Sequence, residues 1–295
     1  MKIETDIASY CCDGTSPFRI ADAPTSIDRL YDSKKDYKDL MEEFREEIDD
    51  LQQTMYAHDH YAMLLVFQAM DAAGKDGTIR HVMSGVNPHG VDVHAFKRPS
   101  GNELDHNYMW RTNRRMPRRG SIGIFNRSYY EEVLVVRVHP EILTQYQRVP
   151  DEFTSDPSQV WQQRYADIQG MEAYNHHNGT RIVKFFLNLS KDEQARRFLD
   201  RIERPEKNWK FEEGDIRERG YWDDYQAAYE DCINATASPE CPWYVVPADD
   251  KKNMRLIVAQ IVLSHLNSLN LHYPTVTDEH RAKLEVYKTQ LKAEL

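Results

Sequence analysis

A glycine-containing loop carries residues whose types and spacing suit phosphate chemistry. It runs from Asp71 to Thr78 (DAAGKDGT) and follows the apolar run Tyr61 to Ala69, which predicts a buried strand before a helical pattern resumes. Glycines in such a loop let backbone N–H groups approach phosphate oxygens closely, and the next helix adds its positive N-terminal end. A lysine adds a mobile positive charge. The predicted phosphate contacts in the loop are Gly74, Lys75, Gly77 and Thr78.

The loop differs from the usual phosphate-binding pattern, in which GxxxxGK is followed by Ser or Thr. Ala69 stands where the first glycine is expected, Asp76 follows the lysine, and the threonine comes two residues later. A simple turn between a strand and a helix is therefore an alternative interpretation of this loop.

Asp71 adds a second indication. A carboxylate beside a phosphate site repels the ligand unless it holds a divalent cation or activates an incoming oxygen, so Asp71 favours Mg²⁺-dependent phosphoryl transfer. The alternative is a side chain that stabilises the turn. We interpret Asp76 as a complement to the positive N-terminus of the following helix.

An arginine follows the third predicted strand, Ser121 to Phe125. Arg127 comes directly after Asn126, and the carboxylates of Glu131 and Glu132 follow one turn later. A guanidinium group at the end of a strand can stabilise negative charge on a migrating phosphoryl group. A core or ion-pairing role for Arg127 is the alternative.

Basic residues also accumulate between Arg196 and Arg219, around Pro205. A helix, a proline-containing turn and a second helix predict a lid that closes over phosphates and excludes water. About half of these cations are also compatible with a plain surface, because Glu203 and Glu206 can pair with them. The basic residues considered as phosphate contacts in this lid are Arg196, Arg204, Lys207 and Lys210.

The charge distribution indicates an anionic ligand held in a cleft. The chain has a formal net charge of −10, yet residues 97–137 contain nine basic and four acidic residues. The acidic total argues against general binding of nucleic acid. Arg118 and Arg119, beside a proline and a glycine, are equally compatible with a solvated helix end.

Five strands that alternate with helices predict an α/β fold with a mostly parallel sheet covered on both faces, whose ligands gather at the carboxyl ends of the strands. The predicted strands are Tyr61 to Ala69, Val91 to Phe96, Ser121 to Phe125, Arg181 to Leu189 and Trp243 to Ala248. The first predicted helix follows Ser33 and has an apolar face of Leu40, Phe44, Ile48, Leu51 and Met55. Two more helices are predicted from Asn102 to Met116 and from Ser158 to Tyr174, and a fourth follows the cap Ser190. Met254 to Leu271 is predicted to be the last long helix.

We expect an N-terminal arm over residues 1–32 and one catalytic domain over residues 33–295, with the lid at about 196–222. The four cysteines form no CxxC pair and are expected to be free thiols. Since no apolar run is long enough to cross a bilayer and the N-terminus lacks a signal pattern, we expect a cytoplasmic protein with no membrane contact.

Several sequence blocks, in order, resemble the polyphosphate kinase 2 family, which is similar in fold to thymidylate kinase. The resemblance extends from about Lys34 to Tyr273. The blocks are QAMDAAGKDGTIR, GVNPHGV, FNRSYYEEVLVVRV, KFFLNLSKDEQARRF, RPEKNWKF, GDIRERGYWDDYQAAYE and PWYVVPAD.

The resemblance implies a P-loop kinase-like, three-layer parallel sheet with a helical lid, and it assigns roles to individual residues. Asp71 and Lys75 match the working residues of the loop, Arg127 the catalytic arginine, and Asp215 an acid linked to the metal. Many relatives have Asp at the position of Asn126, where its carboxylate is a candidate ligand of Mg²⁺. Asn126 carries no charge and cannot replace that carboxylate. The residues predicted to be catalytic are Asp71, Lys75, Asn126 and Arg127, those predicted to bind the nucleotide are Glu131, Glu132 and Arg137, and the predicted Mg²⁺ ligands are Asp71 and Asp215.

Asn126 together with the two following glutamates looks like the subgroup that phosphorylates nucleoside mono- and diphosphates. The resemblance therefore predicts Mg²⁺-dependent, reversible transfer of the terminal phosphoryl group of inorganic polyphosphate to AMP or ADP, forming ADP or ATP, without a covalent enzyme intermediate. It also suggests a homo-oligomer, either a dimer or a tetramer. An ATP-dependent nucleotide or small-molecule kinase of the same fold is the first alternative, and a non-catalytic module that binds phosphate or nucleic acid is the second.

Overall fold

Six strands form one sheet in the part of the chain that the computed structural model describes, residues 5–295. The strands are β1 (Cys11–Cys12), β2 (Ala62–Gln68), β3 (Val91–Ala95), β4 (Ile122–Asn126), β5 (Thr180–Asn188) and β6 (Trp243–Pro247). Their order across the sheet is β1-β6-β5-β2-β4-β3. The edge strand β1 is antiparallel to β6, and all other neighbours are parallel. The predicted mostly parallel sheet is thus confirmed.

Thirteen α-helices accompany the sheet within the described residues. They are α1 (Lys34–His58), α2 (Lys75–Val82), α3 (Gly101–Leu104), α4 (Trp110–Asn113), α5 (Val135–Val138), α6 (Glu141–Gln145), α7 (Asp151–Thr154), α8 (Pro157–His177), α9 (Lys191–Glu203), α10 (Glu213–Gly220), α11 (Trp222–Thr236), α12 (Lys251–Asn267) and α13 (Asp278–Glu294). Among them, no helix combines the length and the apolar character needed to cross a membrane.

The sheet separates two apolar layers, as the alternation of side chains along a strand requires. In β2, Met63, Leu65 and Phe67 face a layer formed with α1, α2 and α12, whereas Leu64 and Val66 face a layer formed with α8 and α11. Because both faces are covered, all seven residues of β2 are buried. This explains why the strand is recognisable as a continuous apolar run.

The predicted helix starts are also found in the structure. Ser33 caps α1 and accepts a hydrogen bond from the Asp36 amide at 3.1 Å. Ser190 caps α9 in the same way and accepts from the Glu193 amide at 3.1 Å. Such caps satisfy amides that have no partner within the helix.

The single helix predicted from Asn102 to Met116 is wrong. The chain forms α3 and α4 there, separated by residues 105–109. Asn107 causes the break, because its side chain accepts a hydrogen bond from the Met109 amide at 3.1 Å, a local turn that competes with helix.

The C-terminal prediction also needs correction. The helix predicted to end at Leu271 ends at Asn267 instead, and Asn270 then adopts a left-handed backbone with φ 47°. It is not the last long helix either, since α13 follows it with 17 residues, none of which is buried. The sequence prediction did not include α13, although Leu284, Tyr287 and Leu291 follow the i, i+3, i+7 spacing of one helix face.

The described part of the predicted N-terminal arm is tied to the sheet, while residues 1–4 lie outside the described residues. Cys11 and Cys12 pair with Tyr244 and Trp243 of β6. The Leu30 amide donates to the Asn253 side chain at 3.0 Å, which attaches the end of this segment to α12. Two consecutive cysteines give no periodic signal, so the sequence did not predict this strand.

A buried ion pair supports the layer beneath α8 and α11. Lys184 in β5 and Glu172 in α8 are 0% and 2% exposed, with 2.6 Å between Nζ and Oε2. The other oxygen of Glu172 accepts hydrogen bonds from the hydroxyl groups of Tyr129 at 2.8 Å and Tyr130 at 2.7 Å. This network holds the segment that follows β4.

We expect Lys184→Met to lower the free energy of unfolding by about 3–5 kcal/mol, because it leaves the Glu172 carboxylate buried without a counter-charge. Urea denaturation followed by circular dichroism measures the loss. The double variant Lys184→Met with Glu172→Gln should lose less than the sum of the two single variants. Additive losses would show that the two residues are not energetically coupled.

Candidate active site

The candidate site lies where β2 and β4 end side by side. Phe67 pairs with Asn126, and the Arg127 amide extends the pairing by donating to the Phe67 carbonyl at 3.0 Å. The loop after β2 begins with Asp71, whose Oδ1 lies 3.0 Å from Nη2 of Arg127. Parallel pairing thus brings together the two residues that sequence reasoning assigned to phosphoryl transfer.

The backbone is turned into unusual conformations at this junction. Ala72 and Arg127 have φ values of 64° and 62°, in the left-handed region that side chains with a Cβ rarely adopt. Gly74, the residue before α2, has φ 102°, which glycine alone adopts without strain. Left-handed non-glycine residues cluster at functional sites, and here Ala72 lies within the predicted phosphate loop and Arg127 lies next to it.

Arg127 is shared between two carboxylates. Besides Asp71, its Nη1 donates to Oε2 of Glu131 at 3.2 Å. The carboxylates, Glu131 foremost, raise the pKa of Arg127 further above its ordinary value, so the guanidinium stays charged. Its side chain remains 40% exposed, which leaves it open to a ligand.

Lys75 opens α2 and points back into the loop, where its Nζ donates to the Ala69 carbonyl at 2.9 Å. Burial, followed by the charge of Arg127, lowers the pKa of Lys75 to about 8. A desolvated ammonium group next to an arginine gains from an anion that neutralises both. The lysine is therefore poised to receive phosphate.

A basic cavity of about 760 Å³ surrounds this loop. It is lined by residues 71–77 and by the base of the predicted lid. Its ten cationic residues outnumber its four acidic ones, Asp71, Asp76, Asp200 and Glu212. The cationic residues are Lys75, Lys97, Arg98, Arg127, Arg197, Arg201, Lys207, Lys210, Lys251 and Arg255.

An aromatic cavity of about 580 Å³ adjoins the basic cavity at the Asp71–Arg127 pair. Five aromatic side chains line it, together with aliphatic residues of α5 and α6. The two cavities share Asp71, Phe96, Lys97, Arg98 and Arg127, so they meet at the ion pair. The aromatic residues are Phe96, Tyr146, Tyr221, Tyr225 and Tyr229.

The structure divides the predicted phosphate contacts into two groups. Gly74, Lys75, Gly77, Lys207 and Lys210 line the basic cavity. The remaining three do not border it, and each has another partner inside the protein.

Arg196 is 69% exposed and pairs with Glu193 at 3.1 Å. Arg204 pairs with Asp200 at 2.7 Å. Thr78 is fully buried, and its hydroxyl group donates to the Gly74 carbonyl at 3.1 Å. An internal partner alone does not keep a residue from the cavity, since Lys207 contacts the same Asp200 at 2.6 Å and still lines it.

The predicted nucleotide contacts also separate. Glu131 and Glu132 both line the aromatic cavity, but Glu132 is buried and pairs with Arg164 at 3.1 Å. Arg137 lies outside this cavity and donates to the Tyr165 hydroxyl at 2.7 Å and to Asp231. Of the three, Glu131 alone combines contact with Arg127 and a place on the cavity wall.

Asn126 borders the basic cavity, and its side-chain amide donates to Asp76. This contact gives Asp76 a second partner besides the N-terminus of α2, on which the sequence interpretation relied. The predicted catalytic role of Asn126 stays a prediction.

The fit of a metal ion rests on two carboxylates. Within residues 5–295, no three His, Cys, Asp or Glu side chains come together as a metal site. Mg²⁺, however, characteristically takes one or two carboxylates and fills its shell with phosphate oxygens and water. Asp71 and Asp215 both line the aromatic cavity, and burial, with the nearby charge of Asp71, raises the pKa of Asp215. This pair fits a cation that arrives with phosphate.

Sequence reasoning missed several cations of the basic cavity. Lys251 and Arg255 lie at the start of α12, just beyond the carboxyl end of β6. The rule that ligands gather at strand ends could have found them. Arg197 was passed over in favour of its exposed neighbour Arg196, although the buried positions of α9 follow a helical spacing that includes it.

A parallel sheet with a predicted phosphate loop after β2 and a basic cavity around that loop defines a P-loop kinase-like phosphotransferase. The family model described as Polyphosphate kinase 2 (PPK2) matches residues 31–274. The chain therefore belongs to the polyphosphate kinase 2 family.

Relatives and solved structures agree with this assignment. The ADP-polyphosphate phosphotransferase of Rhodopseudomonas palustris is 55% identical over 91% of this chain and 92% of its own. The AMP/ADP-polyphosphate phosphotransferase of Meiothermus ruber is 45% identical over 77% and 80%. The crystal structure of polyphosphate kinase 2 from Arthrobacter aurescens TC1 superposes with a TM-score of 0.84 at 34% identity, over 96% of this chain and 98% of that one. The predicted family and fold class are confirmed.

We expect the affinity for inorganic tripolyphosphate to fall as the pH rises through about 8, because the Lys75 ammonium loses its proton there. Isothermal titration calorimetry between pH 7 and 9.5 measures the affinity. Lys75→Met serves as the control, since the ligand's own ionisation is the same for both proteins. Identical pH profiles for the two proteins would contradict a role for this ammonium group.

Proposed function

We propose that this protein transfers the terminal phosphoryl group of inorganic polyphosphate to ADP and to AMP. The observation that carries the proposal is the meeting of two unlike cavities at Asp71 and Arg127. A long polyanion suits a cavity with ten cationic residues, and a nucleotide suits a cavity with an aromatic wall against which a base can stack. The named activities of the relatives support this assignment of donor and acceptor.

The acceptor phosphate would enter from the aromatic cavity and meet the donor near Arg127. The first-turn amides of α2 and Lys75 hold the donor's terminal phosphates. Arg127 lies where the basic and aromatic cavities meet and stabilises the negative charge that spreads over the migrating phosphoryl group. In this proposal the transfer proceeds in line without a covalent enzyme intermediate. It can run in both directions because one phosphoanhydride bond is broken and another is formed.

Asp71, with Asp215, would hold Mg²⁺ on the phosphates. The ion supplies neutralising charge and orientation when it is bound. In this proposal Glu131 keeps Arg127 turned towards the junction, through the contact of 3.2 Å between them. The lid residues Lys207 and Lys210 cover the polyphosphate and exclude water from the transferring group.

The cellular setting is part of the proposal. The unpaired cysteines, two of them buried, suit a reducing cytoplasm. The acidic net charge disfavours nucleic acid as a ligand. The exposed apolar side chains of α13, among them Leu284, Tyr287 and Leu291, suit a homo-oligomer, and we propose a dimer or tetramer.

The central experiment measures ATP and ADP formation from ADP or AMP with Mg²⁺ and long-chain polyphosphate. We expect product from polyphosphate with both acceptors and no product after removal of Mg²⁺ by EDTA. Lys75→Ala should be nearly inactive, whereas Arg19→Ala, at an exposed position of the N-terminal segment, should behave like wild type. Product formed only with ATP as donor would favour a conventional kinase, and binding without turnover would favour a non-catalytic module.

Arg127→Ala should lower kcat by about 10²- to 10³-fold, the scale for loss of one preorganised group that stabilises transition-state charge. Arg127→Lys should recover only part of the loss, because a lysine cannot reach Asp71 and Glu131 as a planar fork does. Steady-state kinetics with saturating polyphosphate measure both variants. A kcat within about threefold of wild type for Arg127→Ala would exclude a transition-state role for this residue.

A further inference from the structure

Helix α9 holds three successive carbonyl groups of the phosphate loop. The side-chain amide of Gln194 donates to the Asp71 carbonyl at 3.0 Å. Nη1 of Arg197 donates to the carbonyls of Ala72 at 3.0 Å and Ala73 at 2.8 Å. One face of one helix therefore fixes the backbone of the loop from Asp71 to Ala73.

Arg197 also connects the loop to the end of β6. Its Nη2 donates to the carbonyls of Ala248 at 2.7 Å and Asp249 at 3.0 Å, and its Nε donates to Glu193 at 2.9 Å. A guanidinium group has five N–H donors, and all five are used in these contacts. The residue is 6% exposed, so it is a buried link between α9, the loop and the sheet.

These bonds determine where the loop amides point. In a planar trans peptide, the carbonyl and the next N–H point in opposite directions. Holding the Ala73 carbonyl on Arg197 therefore turns the Gly74 amide away from the guanidinium. The left-handed Ala72, with φ 64°, is a conformation that persists only when the surroundings enforce it.

The charge of Arg197 is already engaged. It faces Glu193 and four carbonyl oxygens, although the residue borders the basic cavity. A guanidinium with every donor engaged has none left for a phosphate oxygen. Its contribution to phosphate binding must then come through the shape of the loop.

We infer that Arg197, assisted by Gln194, is a positioning residue that holds the phosphate loop in its anion-binding conformation. The inference rests on the proposed function in that the bound anion is a phosphate chain. Because the same helix carries Arg201 and leads into the lid, the guanidinium also joins the base of the lid to the loop beneath it.

The test measures binding separately from turnover. Isothermal titration calorimetry gives the affinity for tripolyphosphate with Mg²⁺ and no acceptor. Kinetics give kcat and the KM values for polyphosphate and ADP. The variants are Arg197→Ala, Arg197→Lys and Gln194→Met, and the matched control is Arg196→Gln, one position away on the outer face of α9.

We expect Arg197→Ala to weaken tripolyphosphate binding by about tenfold to a hundredfold, the equivalent of losing a hydrogen bond to a charged group. The KM for polyphosphate should rise and kcat should fall, while the KM for ADP stays within about twofold of wild type, because Asp71 is the one residue of the loop 71–78 that lines the aromatic cavity. Millimolar guanidinium chloride should restore part of the activity of Arg197→Ala, and equal sodium chloride should not. Arg196→Gln should match wild type.

A folded Arg197→Ala that binds tripolyphosphate like wild type would overturn the inference, and so would an equal loss in Arg196→Gln. If Arg197→Ala does not fold, Arg197→Lys and Gln194→Met decide, since each retains part of the contacts. Wild-type binding in both of these folded variants would also overturn it. If wild type binds tripolyphosphate but fails to phosphorylate ADP or AMP, the proposed function fails, whereas a selective loss of binding in the Arg197 variants still supports the positioning role.

Discussion

Parallel pairing between β2 and β4 places the phosphate loop and Arg127 on the same edge of the sheet. The pairing continues one residue past β4, through the bond from the Arg127 amide to the Phe67 carbonyl, and there the chain turns with φ 62°. A left-handed non-glycine residue costs on the order of 1–3 kcal/mol. Ion pairs to Asp71 and Glu131 offset that strain and keep the guanidinium at the junction of the two cavities.

The local charge of the site is opposite in sign to the net charge of the whole protein. A chain with net charge −10 repels polyanions at long range, and its basic cavity reverses that sign only locally. Within the cavity, Lys75 is desolvated enough to lower its pKa to about 8, so the empty site holds an ammonium group at some cost. An entering phosphate relieves this cost. Carboxylates at the junction, Asp71 and Glu131, keep the adjacent arginine charged and oriented before the ligand arrives.

Much of this arrangement could be predicted from sequence, because it follows from local rules. Apolar runs identified the five parallel strands, and the strand-end rule placed Asp71 and Arg127 together. The aromatic cavity was harder, since Tyr225 and Tyr229 on α11 and Tyr146 beyond α6 meet only in the folded chain. The buried partner of Glu132 is Arg164 in α8, which lies 32 residues away in the sequence. No sequence spacing predicts an ion pair over that distance.

Of the neighbours Arg196 and Arg197, the sequence prediction selected Arg196, although the sequence contains a pattern that favours Arg197. Successive residues on a helix point about 100° apart, so only one of the two can face the phosphate loop. The buried positions Gln194, Arg197 and Phe198 follow the i, i+3, i+4 pattern of a core-facing stripe. Two of the three are polar, so a search for apolar periodicity does not register the stripe. A search for helical spacing that also accepts polar residues would identify Arg197 as a position facing the core.

The separation of the two cavities has a consequence for the reaction. In the proposed function, donor and acceptor reach Arg127 from two different cavities, an arrangement compatible with in-line displacement. Water would be the competing acceptor, and in the proposed function the predicted lid, which continues from α9, excludes it. Arg197 of this helix also holds the loop. One buried guanidinium therefore connects the helix that leads into the predicted lid with the predicted phosphate loop. A movement of the lid that tilts α9 would therefore disturb the loop as well, through the two hydrogen bonds from Arg197 to the carbonyls of Ala72 and Ala73.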